Sequence, residues 1–199
     1  EKKLISHNPT NGIRLSQFDE VAKEILTLKE IQKLAVTSCP NNEVKRAFLF
    51  SCYCGLRWCD VYQLRYKDVD FPARRLTIIQ QKVQTHSKSA ILHLNLNHTA
   101  LKLLQKCNGD REDLVFSLPS YSYTIRILRK WVIDANIRKH ITFHVARHTH
   151  ATMMLTLGAD LYTVSKLLGH KNIATTQIYA KIVDKKKEEA ISLIPNLTD

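Results

Sequence analysis

Apolar residues recur along this chain with two periods, and turn residues mark where one gives way to the other. The stretch Thr27-Leu-Lys-Glu30 has the form of a capping box, in which a threonine oxygen and a glutamate carboxylate each take an exposed helix N–H. Ile31, Leu34 and Ala35 follow at helical spacing and predict one inward face. A second helix is expected after Asn41-Asn42, carrying Val44, Ala47, Phe48 and Ser51, with Gly55 as its left-handed stop. GLRWCDVYQL (Gly55 to Leu64) predicts another short helix, and Asp68 and Asp70 flank a turn before Pro72. The period then falls to two. RLTIIQQKV (Arg75 to Val83) is the best strand signal and SAILHLN (Ser89 to Asn95) the second. The polar loop QTHSK between them predicts a β-hairpin.

Helical spacing resumes at Asn97, which can cap TALKLLQKC. Ser120 can cap a helix running to about Ala135, and Thr142 one that Gly158 ends. Asp160 can cap a helix ended by Gly169, and Asn172 a last one bearing Tyr179. The tail DKKKEEAISLIPNL predicts a charged joint, a short tail helix at about 184–194 and a frayed end. Residues 1–25 are polar, with Asn-Pro and Asn-Gly turn signals, and read as a linker or arm. The predicted fold class is α+β, mainly α-helical with a small antiparallel β-sheet, in a domain spanning 26–199.

Charge narrows the function. Lys and Arg number 30 against 18 Asp and Glu, a formal net charge of +12, which calls for a polyanionic partner. The densest apolar run, Ala47 to Leu56, is broken by Ser51 and Gly55 and falls short of the ~18 residues a spanning helix needs. Nucleic acid is therefore the expected partner. Five cysteines, an odd number, predict reduced thiols and a cytoplasmic setting rather than a disulfide frame. Cys52, Cys54 and Cys59 lack the second pair a zinc site uses, and His140, His144 and His148 lack the glutamate of HExxH, so no metal or cofactor is expected. His148 and His150 read as packing or supporting residues.

The candidate chemistry lies between Ile141 and Lys181. His144 and Arg147 sit three apart, on one helix face. His170 follows in LLGH, and Tyr179 comes nine residues later in TTQIY. Together with GLRWCDVYQL and the intervening hairpin, these HxxR, LLGH and TTxxY elements resemble the catalytic domain of the tyrosine recombinases, the phage-integrase family. The resemblance runs from about Thr27 to Ile182, in a style similar to integrases of Bacteroides-type mobile elements.

The resemblance implies site-specific cleavage and rejoining of double-stranded DNA through a 3′-phosphotyrosyl intermediate, without metal or ATP. Integration or excision of a mobile element is the corresponding role. Tyr179 would be the nucleophile. Arg57, His144, Arg147 and His170 would address the scissile phosphate, because fixed donors stabilise its developing charge and arginine forks bond phosphate bidentately. A hairpin lysine would protonate the leaving oxygen: Lys82 by alignment to the family, with Lys88 as rival. Asp60 stands where many members carry a glutamate and could orient Arg57. The family acts as homotetramers on paired sites, and Ala190, Ile191, Leu193 and Ile194 suit docking on a neighbour or on their own subunit. A core-binding domain is expected upstream of Glu1. A non-catalytic DNA-binding module of the same fold and a type IB topoisomerase are the alternatives, and both lack the exchange of strands between paired sites.

Overall fold

The computed structural model describes residues 23–79, 91–107 and 109–191. Among the described residues eight α-helices follow in chain order: α1 (Leu28–Val36), α2 (Asn42–Cys54), α3 (Trp58–Tyr62), α4 (His98–Leu104), α5 (Tyr121–Asp134), α6 (Phe143–Thr156), α7 (Leu161–Leu168) and α8 (Ala174–Ile191). A three-stranded antiparallel sheet of order β1 (Val69–Asp70), β2 (Arg75–Ile79) and β3 (Ile91–Asn95) lies between α3 and α4 in sequence. The fold class is the one predicted.

The helix starts follow their side chains. Thr27 and Glu30 close both halves of the capping box on α1. Asn41, Asn97 and Asp160 accept from the backbone N–H three residues on, at 3.0, 2.8 and 2.9 Å. Asn172 Oδ1 accepts from Ala174 N at 2.9 Å at the start of α8. Ser120 and Thr142 occupy the expected cap positions on α5 and α6 but make no side-chain cap bond. On α1, Ile31 and Leu34 are buried whereas Ala35 faces solvent.

α2 is the central helix. Nine of its residues are buried, among them Phe48, Phe50 and Cys52, because its apolar positions run round the whole circumference. Phe48 meets Trp131 of α5 and Phe143 of α6 edge-on, with centroids 6.0 and 5.8 Å apart. Leu76 and Ile78 of β2, opposite Leu94 and Leu92 of β3, close this core from the sheet side. β1 arises where the sequence predicts only a turn. Two residues are too short a strand to show a period, and Asp70 Oδ1 folds the chain back by accepting from Ala73 N at 2.9 Å.

A second, smaller apolar cluster holds the C-terminal helices together. It consists of Ala151, Val164, Leu168 and Tyr179, with Met154, Leu155, Ile178 and Ile182 against it. α8 continues unbroken to Ile191, so as far as that residue the expected tail helix is an extension of the tyrosine helix. No described helix is long and apolar enough to cross a membrane.

Candidate active site

Arg147 is the centre of the site, and the fold is built around it. It lies in the second turn of α6 and is 1% exposed. Nη1 donates to Gly55 O and Nη2 to Leu168 O, both at 2.7 Å. Those carbonyls end α2 and α7, where helix dipoles place partial negative charge. A buried guanidinium thus gains two charge-assisted bonds and two dipoles. Burial and the neighbouring Arg57 lower its pKa to about 10, so it stays cationic at neutral pH. Among the described residues two of its five N–H groups serve the fold, through Gly55 and Leu168.

Gly55 makes this approach possible. Its φ of +71° is left-handed, and a Cβ there would stand 2.7 Å from His150 Cδ2 and 2.8 Å from Leu168 Cδ2. His150 is packing, as expected from the sequence: it is 5% exposed and its Nδ1 lies 3.3 Å from Cys52 O.

Arg57 caps α3 by position and reaches toward the same centre. Its Nη1 is buried, lies 4.0 Å from Asp60 Oδ2, and makes no hydrogen bond among the described residues. That distance is an ion contact rather than a hydrogen bond. A buried, unsatisfied guanidinium donor costs stability, and the cost is recovered when an anion binds. Arg57 also lines an open cleft of about 390 Å³ with Trp58, Cys59, Tyr121 and His144. His144 is exposed, one turn from His148, and the two rings meet edge-on at 4.4 Å.

His170 follows the left-handed Gly169 at the end of α7. Its Nδ1 lies 2.8 Å from Oγ1 of the fully buried Thr176, and its backbone N–H donates to Ser165 O at 3.0 Å. Burial, with the positive field of Arg147 and Arg57, lowers its pKa to about 4.

Tyr179 is 2% exposed, on the face of α8 turned to α6. Its Oη lies 2.9 Å from His148 Nδ1, and the rings are tilted by 52° with centroids 5.5 Å apart. Burial raises the phenol pKa, and the charges of Arg147 and Arg57 oppose that rise. His148 is held neutral: burial, then His144, Lys23 and Arg147, bring its pKa to about 4.

The structure therefore brings Arg57, His144, Arg147, His170 and Tyr179 within electrostatic reach of one another, with Arg57 and His144 on the open cleft and Arg147 and Tyr179 buried beside it. Lys82 and Lys88 lie outside the described residues. Two contacts of the site were not read from the sequence. His148, expected to be a packing or supporting residue, touches the tyrosine oxygen, and Thr176 orients His170. The signal for Thr176 was present in TTQIY, six residues after His170. The signal for His148 was its place directly after Arg147, with Tyr179 arriving from another helix. Among the described residues no group of three or more His, Cys, Asp or Glu side chains is placed to hold a metal.

Comparison with known proteins finds a family and relatives for the chain. Residues 24–186 match the model of the phage integrase family. The chain is 33% identical over 191 residues to a tyrosine recombinase of Pseudothermotoga lettingae, covering 93% of this chain and 65% of that protein. It is 30% identical over 200 residues to tyrosine recombinase XerC of Oceanobacillus iheyensis, covering 94% and 66%. The chain thus spans just under two thirds of the length of these curated relatives. In fold it is similar to the integrase of transposon Tn1549 solved with transposon right-end DNA, with a TM-score of 0.71, 19% identity, and 94% and 73% of the two chains covered.

Proposed function

The chain belongs to the phage integrase family, and from that premise we propose that it is a site-specific DNA recombinase that cleaves and rejoins strands through a 3′-phosphotyrosyl bond at Tyr179. The observation that carries the proposal is Tyr179 itself: its hydroxyl sits on a neutral histidine, within the field of two arginines, one of which has a buried donor without a hydrogen-bond partner among the described residues.

The residues take roles that follow from their chemistry. A phenol of pKa near ~10 is a weak nucleophile until a base or positive field assists it. Arg147 offers the N–H groups that do not hold Gly55 and Leu168, and Arg57 its buried Nη1, to the non-bridging oxygens, where charge grows as Tyr179 attacks. Because these donors are already fixed, they stabilise the transition state more than the ground state. His144 and His170 add donors on either side. Asp60, 4.0 Å from Arg57, aims that guanidinium. Protonation of the leaving 5′-oxygen is assigned to a hairpin lysine, Lys82, with Lys88 as the alternative.

Double-stranded DNA is the partner, bound through phosphate neutralisation by a chain of net charge +12. Integration and excision of a mobile element, in the manner of Bacteroides-type integrases, and assembly as a homotetramer on paired sites complete the reading. The Tn1549 integrase, a transposon protein of the same fold solved with its DNA, supports the mobile-element role and the DNA partner. Exposed Ile191 at the end of α8 is suited to contact between protomers.

The test is covalent capture. The 199-residue chain is incubated with a pool of nicked duplexes of randomised sequence, and denaturant-resistant complexes are collected. Wild type is expected to give them and Tyr179→Phe is not. Equal yields from both would overturn the proposal, and relaxation of supercoiled plasmid with no sequence requirement would reassign the chain to topoisomerase chemistry.

A further inference from the structure

The phosphate donors explain how charge is stabilised on the substrate, but none of them accounts for the proton that Tyr179 must lose. Arginine cannot accept it at neutral pH. The Nδ1 of His170 is engaged by Thr176 at 2.8 Å. His144 stands in the cleft with Arg57, Trp58 and Tyr121. His148 Nδ1, by contrast, lies 2.9 Å from the tyrosine oxygen, inside the range for an O–H···N bond.

Resting on the recombinase reading, we propose that His148 is the proton acceptor for Tyr179: Nδ1 takes the phenolic proton as Oη attacks and returns it when the strand is rejoined. In cleavage the Oη–P bond forms, the P–O5′ bond breaks, and the Oη proton moves to Nδ1, giving an imidazolium. The departing 5′-oxygen takes a proton from an ammonium side chain or solvent. In rejoining, a 5′-hydroxyl attacks phosphorus and gives its proton to the amine or solvent that supplied it, the Oη–P bond breaks, and the imidazolium reprotonates the phenol.

Three features suit His148 to this task. Its position is fixed by α6, in which Thr152 Oγ1 donates back to His148 O at 2.9 Å. Its ring packs against His144 on one side and Tyr179 on the other, at 4.4 and 5.5 Å between centroids. Its charged neighbours are His144 and Arg147 on α6 and Lys23 from the segment before α1, and all of them disfavour the imidazolium. A bound phosphodiester brings negative charge to these same cations. The basicity of His148 therefore rises when substrate arrives, and the base is switched on by DNA.

The experiment uses single-turnover adduct formation on the duplex recovered from the covalent pool, with His148→Ala and His148→Asn. The asparagine amide occupies the place of Nδ1 and keeps a hydrogen bond to the phenol but does not accept a proton. Both variants are expected to slow adduct formation by about 10²–10⁴, the range for general acid–base groups. The loss should persist on DNA with a 5′-bridging phosphorothiolate, whose sulfur departs without a proton. Wild-type or faster cleavage by His148→Ala would overturn the proposal and make the contact a restraint on the tyrosine. Full activity in His148→Asn would overturn it in favour of positioning alone. Restoration by the phosphorothiolate would reassign His148 to the leaving group. Should the alanine variant fail to fold, the asparagine variant and the phosphorothiolate decide the question. Adduct formed by wild type and absent from Tyr179→Phe keeps the recombinase reading intact whichever way His148 falls.

Discussion

Replacing Arg147 by lysine separates the two tasks of that side chain. The guanidinium braces the ends of α2 and α7 through Gly55 O and Leu168 O, each at 2.7 Å. A lysine keeps the charge but has one nitrogen, and a single ammonium on a flexible stem satisfies one of the two carbonyls in this geometry. The loss is one charge-assisted hydrogen bond, about 1.5–3 kcal/mol, with a buried carbonyl left unpaired. For a domain of this size each kcal/mol moves the melting temperature by about 2–4 °C, so Arg147→Lys should melt about 3–12 °C below wild type. Differential scanning calorimetry at neutral pH measures it. The fork that remains for phosphate is lost as well, so adduct formation should fall even at temperatures where the variant is fully folded. A variant that melts with wild type would refute the claim that Arg147 is a structural brace. One that melts low yet forms adduct at the wild-type rate would refute its second task.

Three further outcomes follow from the same geometry. Gly55→Ala places a Cβ 2.7 Å from His150 Cδ2 at a φ of +71°; overpacking and left-handed strain together should cost about 2–4 kcal/mol, read from urea midpoints, and a neutral result would contradict the close approach. Thr176→Val removes the bond to His170 Nδ1, and adduct formation should slow by about twofold to twelvefold, the kinetic equivalent of a hydrogen bond of ~0.5–1.5 kcal/mol. His148, His150 and His170 all have pKa values lowered by burial from 6.5 to about 4. They are neutral in the fold, whereas the unfolded chain protonates them below about 6.5, so their stability contribution is complete above that pH and is lost progressively down to about 4. A urea midpoint that stays flat between these limits would contradict the burial of these rings.

How much of this was legible in the sequence depends on the range of the interaction that fixes each feature. The caps at Thr27, Asn41, Asn97 and Asp160 act within three residues, and a linear reading finds them. Ser120 and Thr142 hold the right positions without the bond, because cap position is set by backbone geometry and the side chain then chooses its own partner. The strand β1 is only two residues long and owes its existence to pairing with β2, so no local pattern announces it. In the site, Arg57, His144, Arg147, His170 and Tyr179 were found because the family resemblance orders them; each alone reads as an ordinary surface, helix or core residue. His148 reads from the sequence only as a packing or supporting residue, since its partner arrives 31 residues later on α8. That Arg147 would be held by two helix ends was equally hidden. Its acceptors are backbone carbonyls, which carry no sequence signature, 92 positions upstream and 21 downstream.

Of all measurements, mapping the covalent adduct bears most directly on the central claim. The complex captured on nicked DNA is digested with nuclease and protease, and the modified peptide is sequenced by mass spectrometry. The expected product is a nucleotide joined through its 3′-phosphate to the Tyr179 oxygen, within the α8 peptide, with no such peptide from Tyr179→Phe. A 3′-phosphoryl adduct on any other side chain, or an unmodified Tyr179 in a complex that survives denaturation, would contradict it.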